Sequence, residues 1–168
     1  MKRRSVLPGL MATLAIFGIA PRGHARTGRV DRVVVLKRKR VLQLISKGDV
    51  VHSFRIALGR EPRGDKRFEG DGRTPEGLYW LDSWKGDSRF YKAIRISYPN
   101  RADVELASRM GRSAGGAIMV HGLASEIEHW GPNHYLFNWT EGCIAVTNEE
   151  MDVIWNSVRP GTPIEIRP

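Results

Sequence analysis

The 168-residue sequence has a single cysteine, Cys143, so no disulfide can form within the chain. No apolar run reaches the ~20 residues that a helix needs to cross a bilayer. Internal repeats and low-complexity tracts are absent, which excludes solenoids and disordered polar segments. There is no His-Glu-x-x-His and no paired Cys-x-x-Cys spacing, so the common zinc motifs have no foothold. Nor do basic and aromatic residues interleave as they do on nucleic-acid surfaces, and no nucleic-acid partner is expected.

The N-terminus reads as a leader. Lys2, Arg3 and Arg4 precede an uncharged, mostly apolar run from Val6 to Ala20, and Gly23-His24-Ala25 places small residues where a signal peptidase cuts. Residues 1–25 are therefore expected to be a signal peptide, and residues 26–168 a single domain. An uncleaved anchor is the alternative, although the run is short for one. Arg3-Arg4-Ser5-Val6-Leu7 also fits a loose twin-arginine pattern. Removing the leader's four basic residues takes the formal charge from +9 to +5. An exported, moderately basic domain is drawn by long-range attraction to anionic polymers, and the cell wall is the natural one.

Hydrophobic patterning gives a β-rich domain of the α+β class. Val33–Leu36, Val41–Ile45 and Val51–Leu58 read as strands, with the basic turn Lys37-Arg38-Lys39-Arg40 between the first two. Residues 59–73 carry four glycines and many charges and read as a long surface loop. Further strands are expected at Leu78–Leu81, Lys92–Tyr98, Ala117–Val120 and Ile164–Ile166, a short helix at 101–110, and a loop at Glu128–Tyr135. Thr147 and Glu150 form a capping box, and Met151, Ile154, Trp155 and Val158 then recur as one helical stripe stopped by Pro160-Gly161.

A free thiol is only ~3% ionised at neutral pH, so chemistry at Cys143 needs a neighbouring base. Of the five histidines, His24 falls in the leader, His52 lies on a strand face, and His129 and His134 lie in the Trp-flanked loop. His121 differs, because it ends an apolar strand, precedes Gly122 and stands 21 residues before Gly142. The residues alone leave three readings open: a Cys143/His121 nucleophile and base, a buried structural thiol, and a zinc site from His121, His129, His134 and Cys143.

The sequence also resembles the catalytic domain of the L,D-transpeptidases, the YkuD-type fold, from about Val33 to Ile166. The resemblance is carried by Ala57-Leu58-Gly59, Gly70-Asp71-Gly72-Arg73-Thr74-Pro75-Glu76-Gly77-Leu78-Tyr79, Ile118-Met119-Val120-His121-Gly122 and Thr140-Glu141-Gly142-Cys143-Ile144, in family order. It departs from the family's Ser/Thr-His-Gly-Cys pattern at Glu141, and Ala145 stands where the family has Asn or Arg.

The resemblance implies a β-sandwich of mixed sheets with a catalytic Cys143 and His121, located in the periplasm or at the wall and acting on peptidoglycan stem peptides. It implies a thioester route: His121 deprotonates Cys143, the thiolate attacks the carbonyl of the stem's third residue, and an amine resolves the acyl-enzyme. Backbone N–H groups near Gly142 and Cys143 are the expected oxyanion donors, with Tyr98 as a further hydroxyl donor and the Gly122 carbonyl orienting His121. Arg73, Thr74, Thr140 and Glu141 are expected at the substrate. No metal and no organic cofactor is required, and a monomer is expected. A hydrolase of the same fold, or a non-catalytic wall-binding module, are the competing functions.

Overall fold

In the computed structural model, which describes residues 29–168, the first two apolar runs form a hairpin. Strand β1 (Arg32–Leu36) lies antiparallel to β2 (Val41–Ser46) across the basic Lys37–Arg40 turn, and β3 (Asp49–Arg55) adds to the outer edge of β2. The expected leader at residues 1–25, with its twin-arginine pattern, lies outside the described residues. No helix among the described residues is long and apolar enough to cross a membrane.

The remaining strands are β4 (Gly77–Ser88), β5 (Tyr91–Ile96), β6 (Met119–His121), β7 (Ile144–Ala145) and β8 (Thr162–Arg167). All eight join in one mixed sheet of order β3-β2-β1-β8-β4-β5-β6-β7. The chain's last strand is inserted centrally, parallel to β1 and antiparallel to β4. Beyond β3, the chain crosses to the far end of this order, where Ala57 bridges Ala145 and Gly59 bridges Thr140. The sheet therefore curls into a half-barrel whose two edges meet, and the strands expected in a sandwich enclose one core. Leu42, Leu44, Ile56, Leu58, Leu81, Ile94, Ile96 and Ile164 are wholly buried in it. Side chains of this size contribute roughly 1.5–3 kcal/mol each on burial.

Two helices and one irregular segment cover the sheet. In α1 (Arg101–Arg109), Asn100 and Asp103 form a reciprocal capping box. In α2 (Asn148–Ser157), Thr147 and Glu150 do the same, and Met151 and Ile154 are fully buried. Ser125–Leu136, which contains the loop expected at Glu128–Tyr135, is wound in 3₁₀ turns and broken at Gly131, whose φ is 48°. Strand β4 runs well past the expected Leu81. Its second half, Asp82–Ser88, lacks apolar alternation and is held by pairing with β5.

The segment from Gly59 to Arg73 contains no strand, but it is ordered internally rather than a free surface loop. The Asp71 carboxylate accepts from the Lys66 ammonium (2.8 Å) and from the backbone N–H groups of Arg67, Phe68 and Arg73. Burial alone pushes this carboxyl up, yet these donors outweigh it and hold the group below the usual carboxylate range. Both partners are nearly inaccessible, with side chains 3% and 5% exposed. Breaking such a pair from one side leaves a buried, uncompensated charge. An Asp71→Asn variant is therefore expected to lose about 3 kcal/mol in urea denaturation at pH 7. Because the folded carboxyl is depressed, its contribution is present above the unfolded value near ~3.9 and is lost as pH falls through the lower folded value. The gap between variant and parent should accordingly shrink in acid.

Candidate active site

Parallel pairing of β6 with β7 builds the site. Val120 lies opposite Ile144 and His121 opposite Ala145. Extended by one residue, this register sets Cys143 beside Met119. Strand alternation, continued to that position, would turn Cys143 toward the face that carries His121, two positions away. The apolar Ile118–Val120 run thus carries the imidazole, and the 140–143 turn carries the sulfur.

The turn is held by Thr140 and Gly142. The Thr140 hydroxyl donates to the Cys143 carbonyl (2.7 Å) and accepts from the Gly142 N–H (3.2 Å). Thr140, expected at the substrate, is itself buried and fixes the nucleophile's backbone. The Gly142 N–H, expected as an oxyanion donor, is committed inside the turn. Gly142 has a φ of 128°, and a Cβ there would stand 2.5 Å from the Arg73 carbonyl oxygen, so only glycine fits.

His121 is 2% exposed. Its Nδ1 lies 2.7 Å from the Gly122 carbonyl oxygen, which fixes the tautomer with the proton on Nδ1 and the lone pair on Nε2. Phe90 lies against the ring at 4.5 Å between centroids, and Trp139 meets it edge-on at 5.6 Å. This aromatic enclosure desolvates the imidazole. Burial lowers its pKa to about 4, a shift that the Gly122 bond opposes and His134 slightly reinforces.

The half-buried Cys143 thiol points its sulfur at the Ala117 carbonyl oxygen (3.6 Å), and burial pushes its pKa up. The Met119 N–H and the Lys66 charge oppose that shift. Thiol and imidazole are therefore both neutral at rest, and no hydrogen bond joins them. Burial penalises the charged form of both groups. What the geometry offers is a neutral base with a free lone pair and a neutral thiol two positions away in the pairing.

Other expected residues separate into groups. Thr74 is wholly buried, and its hydroxyl accepts from the Gly59 N–H (3.1 Å), so it anchors a loop and cannot meet substrate. The Tyr98 hydroxyl donates to the Ala114 carbonyl (2.9 Å) in the core, which leaves it no proton for an oxyanion. Glu141 faces solvent and pairs with Arg60 at 2.6 Å; it does not hold His121. Arg73 sends Nη1 to the Asp65 carbonyl (3.3 Å) and lines a cleft of about 320 Å³ with Arg67 and Met110. His52 is exposed and stacks on Phe54, and His129 lies exposed beside Trp130. Among the described residues no three His, Cys, Asp or Glu side chains are grouped to hold a metal ion.

Sequence reasoning missed Phe90 and Trp139, the two rings that bury the base. Trp139 stands directly before the Thr140–Cys143 motif, which was a usable signal; Phe90 sits in the β4–β5 turn and offered none. The backbone groups of Ala117 and Met119 that meet the sulfur were equally invisible.

The YkuD model, described as the L,D-transpeptidase catalytic domain, matches residues 30–166. The Escherichia coli (strain K12) protein YafK, named as an L,D-transpeptidase, is 32% identical over 132 residues, covering 75% of this chain and 46% of its own length. A crystal structure of the K307A mutant of the helical cell shape determining protein Pgp2 from Campylobacter jejuni aligns with a TM-score of 0.63 and 25% identity, over 83% of this chain and 47% of that one. Mycobacterium tuberculosis L,D-transpeptidase 1 aligns at 0.52 with 16% identity, over 84% of this chain and 63% of that one, a likeness of fold. The chain thus spans just under half the length of the curated relatives it matches.

A neutral resting pair has a measurable signature. With the imidazole neutral down to about pH 4 and the thiol pushed up, Cys143 should react slowly with iodoacetamide at pH 7. The rate should climb only beyond the ordinary thiol range, above pH ~8.5. A plateau already reached between pH ~6 and ~7 would instead reveal a preformed thiolate–imidazolium pair.

Proposed function

Because the chain belongs to the L,D-transpeptidase catalytic-domain family, we propose that it transfers acyl groups between peptidoglycan stem peptides through a thioester on Cys143. What supports this reading is the β6–β7 pairing, which sets His121 opposite Ala145, two residues after Cys143, with Nδ1 of His121 tied to the Gly122 carbonyl. Family membership and the likeness to a cell shape determining protein support a wall substrate, and with it a periplasmic or wall location.

The steps follow from the resting geometry. Substrate binding displaces the thiol from the Ala117 carbonyl, and its proton passes to Nε2 of His121 as the sulfur attacks the carbonyl carbon of the stem's third residue. Negative charge develops on that carbonyl oxygen. With the Gly142 N–H committed and Tyr98 occupied, the Cys143 N–H is the nearest backbone donor left in the motif. His121 then returns the proton to the departing amine of the terminal D-residue, leaving a thioester. An incoming amine attacks that thioester and gives its proton to His121. The new amide forms and the thiol is restored.

A neutral His121 suits the first step. A base protonated at rest could not accept the thiol proton, and a pKa of about 4 leaves the ring unprotonated throughout the neutral range. Burial by Phe90 and Trp139 therefore keeps the base ready, while its low basicity is compensated only once the oxyanion forms.

Incubation of the full chain with purified wall tetrapeptide, read by mass spectrometry, tests the reading. A cross-linked dimer with loss of one terminal residue is expected, together with an acyl-enzyme adduct on Cys143. Cys143→Ala should lower turnover by ~10³-fold or more. A shortened monomer alone would identify a hydrolase in which water resolves the thioester. Undiminished turnover by the variant would overturn thioester chemistry altogether.

A further inference from the structure

The wall that carries Trp139 against His121 has a second side. Asn138, the preceding residue, lines a cleft of about 1020 Å³ together with Arg38 and Arg40 of the β1–β2 turn and Glu61 and Arg63 of the long loop. Lys37 and Glu76 also border it, but they neutralise each other at 2.9 Å, and the Lys37 ammonium further donates to the Gly64 and Thr74 carbonyls. The other lining side chains set three guanidinium groups against the Glu61 carboxylate, with the α-carboxylate of Pro168 also in the lining, so cations exceed anions by one. Among the described residues, no carboxylate lies within 4 Å of Arg38, Arg40 or Arg63.

Arg40 is held there against local preference. Its φ is 51°, a left-handed conformation that glycine or asparagine adopts at lower cost. It is half-buried, and the Arg55 guanidinium is near enough to disfavour its charge further. Non-glycine residues kept in such conformations cluster at ligand sites. The Arg40 Nη1 donates to the Tyr135 carbonyl (3.2 Å), and the Arg55 guanidinium lies over the Tyr135 ring at 4.5 Å. Cationic cleft and imidazole thus share the wall Tyr135–Trp139. On the far side of the same turn, the Arg60 N–H donates to the Thr140 carbonyl (3.0 Å), which ties Glu61 and Arg63 to the nucleophile's own turn.

We propose that this cleft is a subsite for a carboxylate-bearing peptide, the second strand of the acyl transfer, with Arg38, Arg40 and Arg63 as its contacts. Guanidinium forks match carboxylates in a bidentate manner, and a row of three suits a chain that repeats its acid groups. The proposal rests on the acyl-transfer reading, since it supplies the place for the acceptor beside the thioester.

Binding is measured by calorimetry on the full-length Cys143→Ala chain, so that turnover plays no part. The probe is purified wall tetrapeptide, compared with the same peptide carrying amidated carboxyl groups. An Arg38→Gln/Arg63→Gln variant should weaken binding of the free acid about tenfold, with a shallower salt dependence, and leave the amidated peptide unaffected. Arg38→Lys/Arg63→Lys should recover part of the loss, which separates charge from folding. Equal binding of acid and amide, or no change in the Gln variant, would overturn the proposal. So would full displacement by inorganic phosphate at matched ionic strength, which marks a general anion patch. Formation of the Cys143 acyl adduct by the arginine variants is scored separately by intact mass, so a failed cleft leaves thioester chemistry standing, and a missing adduct in the parent chain counts against that chemistry instead.

Discussion

The two ends of the sheet are joined by a short reciprocal contact: the Ala57 N–H donates to the Ala145 carbonyl and the Ala145 N–H to the Ala57 carbonyl, each at 3.0 Å. Ala57 follows β3 at one edge of the strand order, and Ala145 ends β7 at the other. Without this closure β7 would be a two-residue strand on an open edge, too short to hold a nucleophile in place. With it, the Thr140–Cys143 turn is clamped between β6 and the Ala57–Gly59 segment. The fit is close enough that a side chain on Gly59 would collide with the Gly72 carbonyl, and one on Gly142 with that of Arg73. The ordered loop behind these glycines, organised by the buried Lys66–Asp71 pair, is thus the backstop of the sulfur.

That clamping decides the electrostatics. Phe90 and Trp139 enclose the imidazole and burial disfavours the charged forms of both groups, which favours a neutral thiol beside a neutral ring. The same burial strengthens any dipole aimed at charge that develops later. Met119 and Gly122 provide such fixed dipoles, one donating to sulfur and the other accepting from Nδ1. In the proposed acyl transfer, charge separation is deferred until substrate supplies an electrophile to receive it. A preformed ion pair would gain reactivity at rest but would require desolvating two charges in the empty site.

How much of this could be read in advance depended on which atoms carried the information. The alternation of β-branched residues in β1 and β2, the capping box at Thr147 and the stripe from Met151 to Val158 are side-chain patterns, and they were legible. The Cys143/His121 pair was legible as residue types at suggestive positions. The Gly70–Gly77 motif is recognisable as a unit, yet Thr74, expected with Arg73 at the substrate, accepts from the Gly59 N–H, and Asp71, for which the sequence suggests no role, orders the loop. Their work is done through backbone groups far apart in sequence, which leave no periodic trace. Tyr98 failed similarly: its acceptor, Ala114, is a carbonyl that any residue could present. The second half of β4 and the 3₁₀ turns were set by tertiary pairing over local preference.

Glu141 shows how little a charge beside the nucleophile's turn need disturb it. It directly precedes the Gly-Cys pair, and a carboxylate next to a thiol would raise the thiol's pKa further if it pointed inward. It points outward instead, to Arg60, with both side chains more than half exposed. A pair so well solvated contributes at most about 1 kcal/mol. Its consequence is geometric: Arg60 already holds the Thr140 carbonyl through its backbone, and the ion pair fastens the same two segments from outside. Glu141 therefore leaves the thiol and imidazole untouched and braces the turn that carries the sulfur, on the side where the loop leads into Glu61, Arg63 and the cationic cleft.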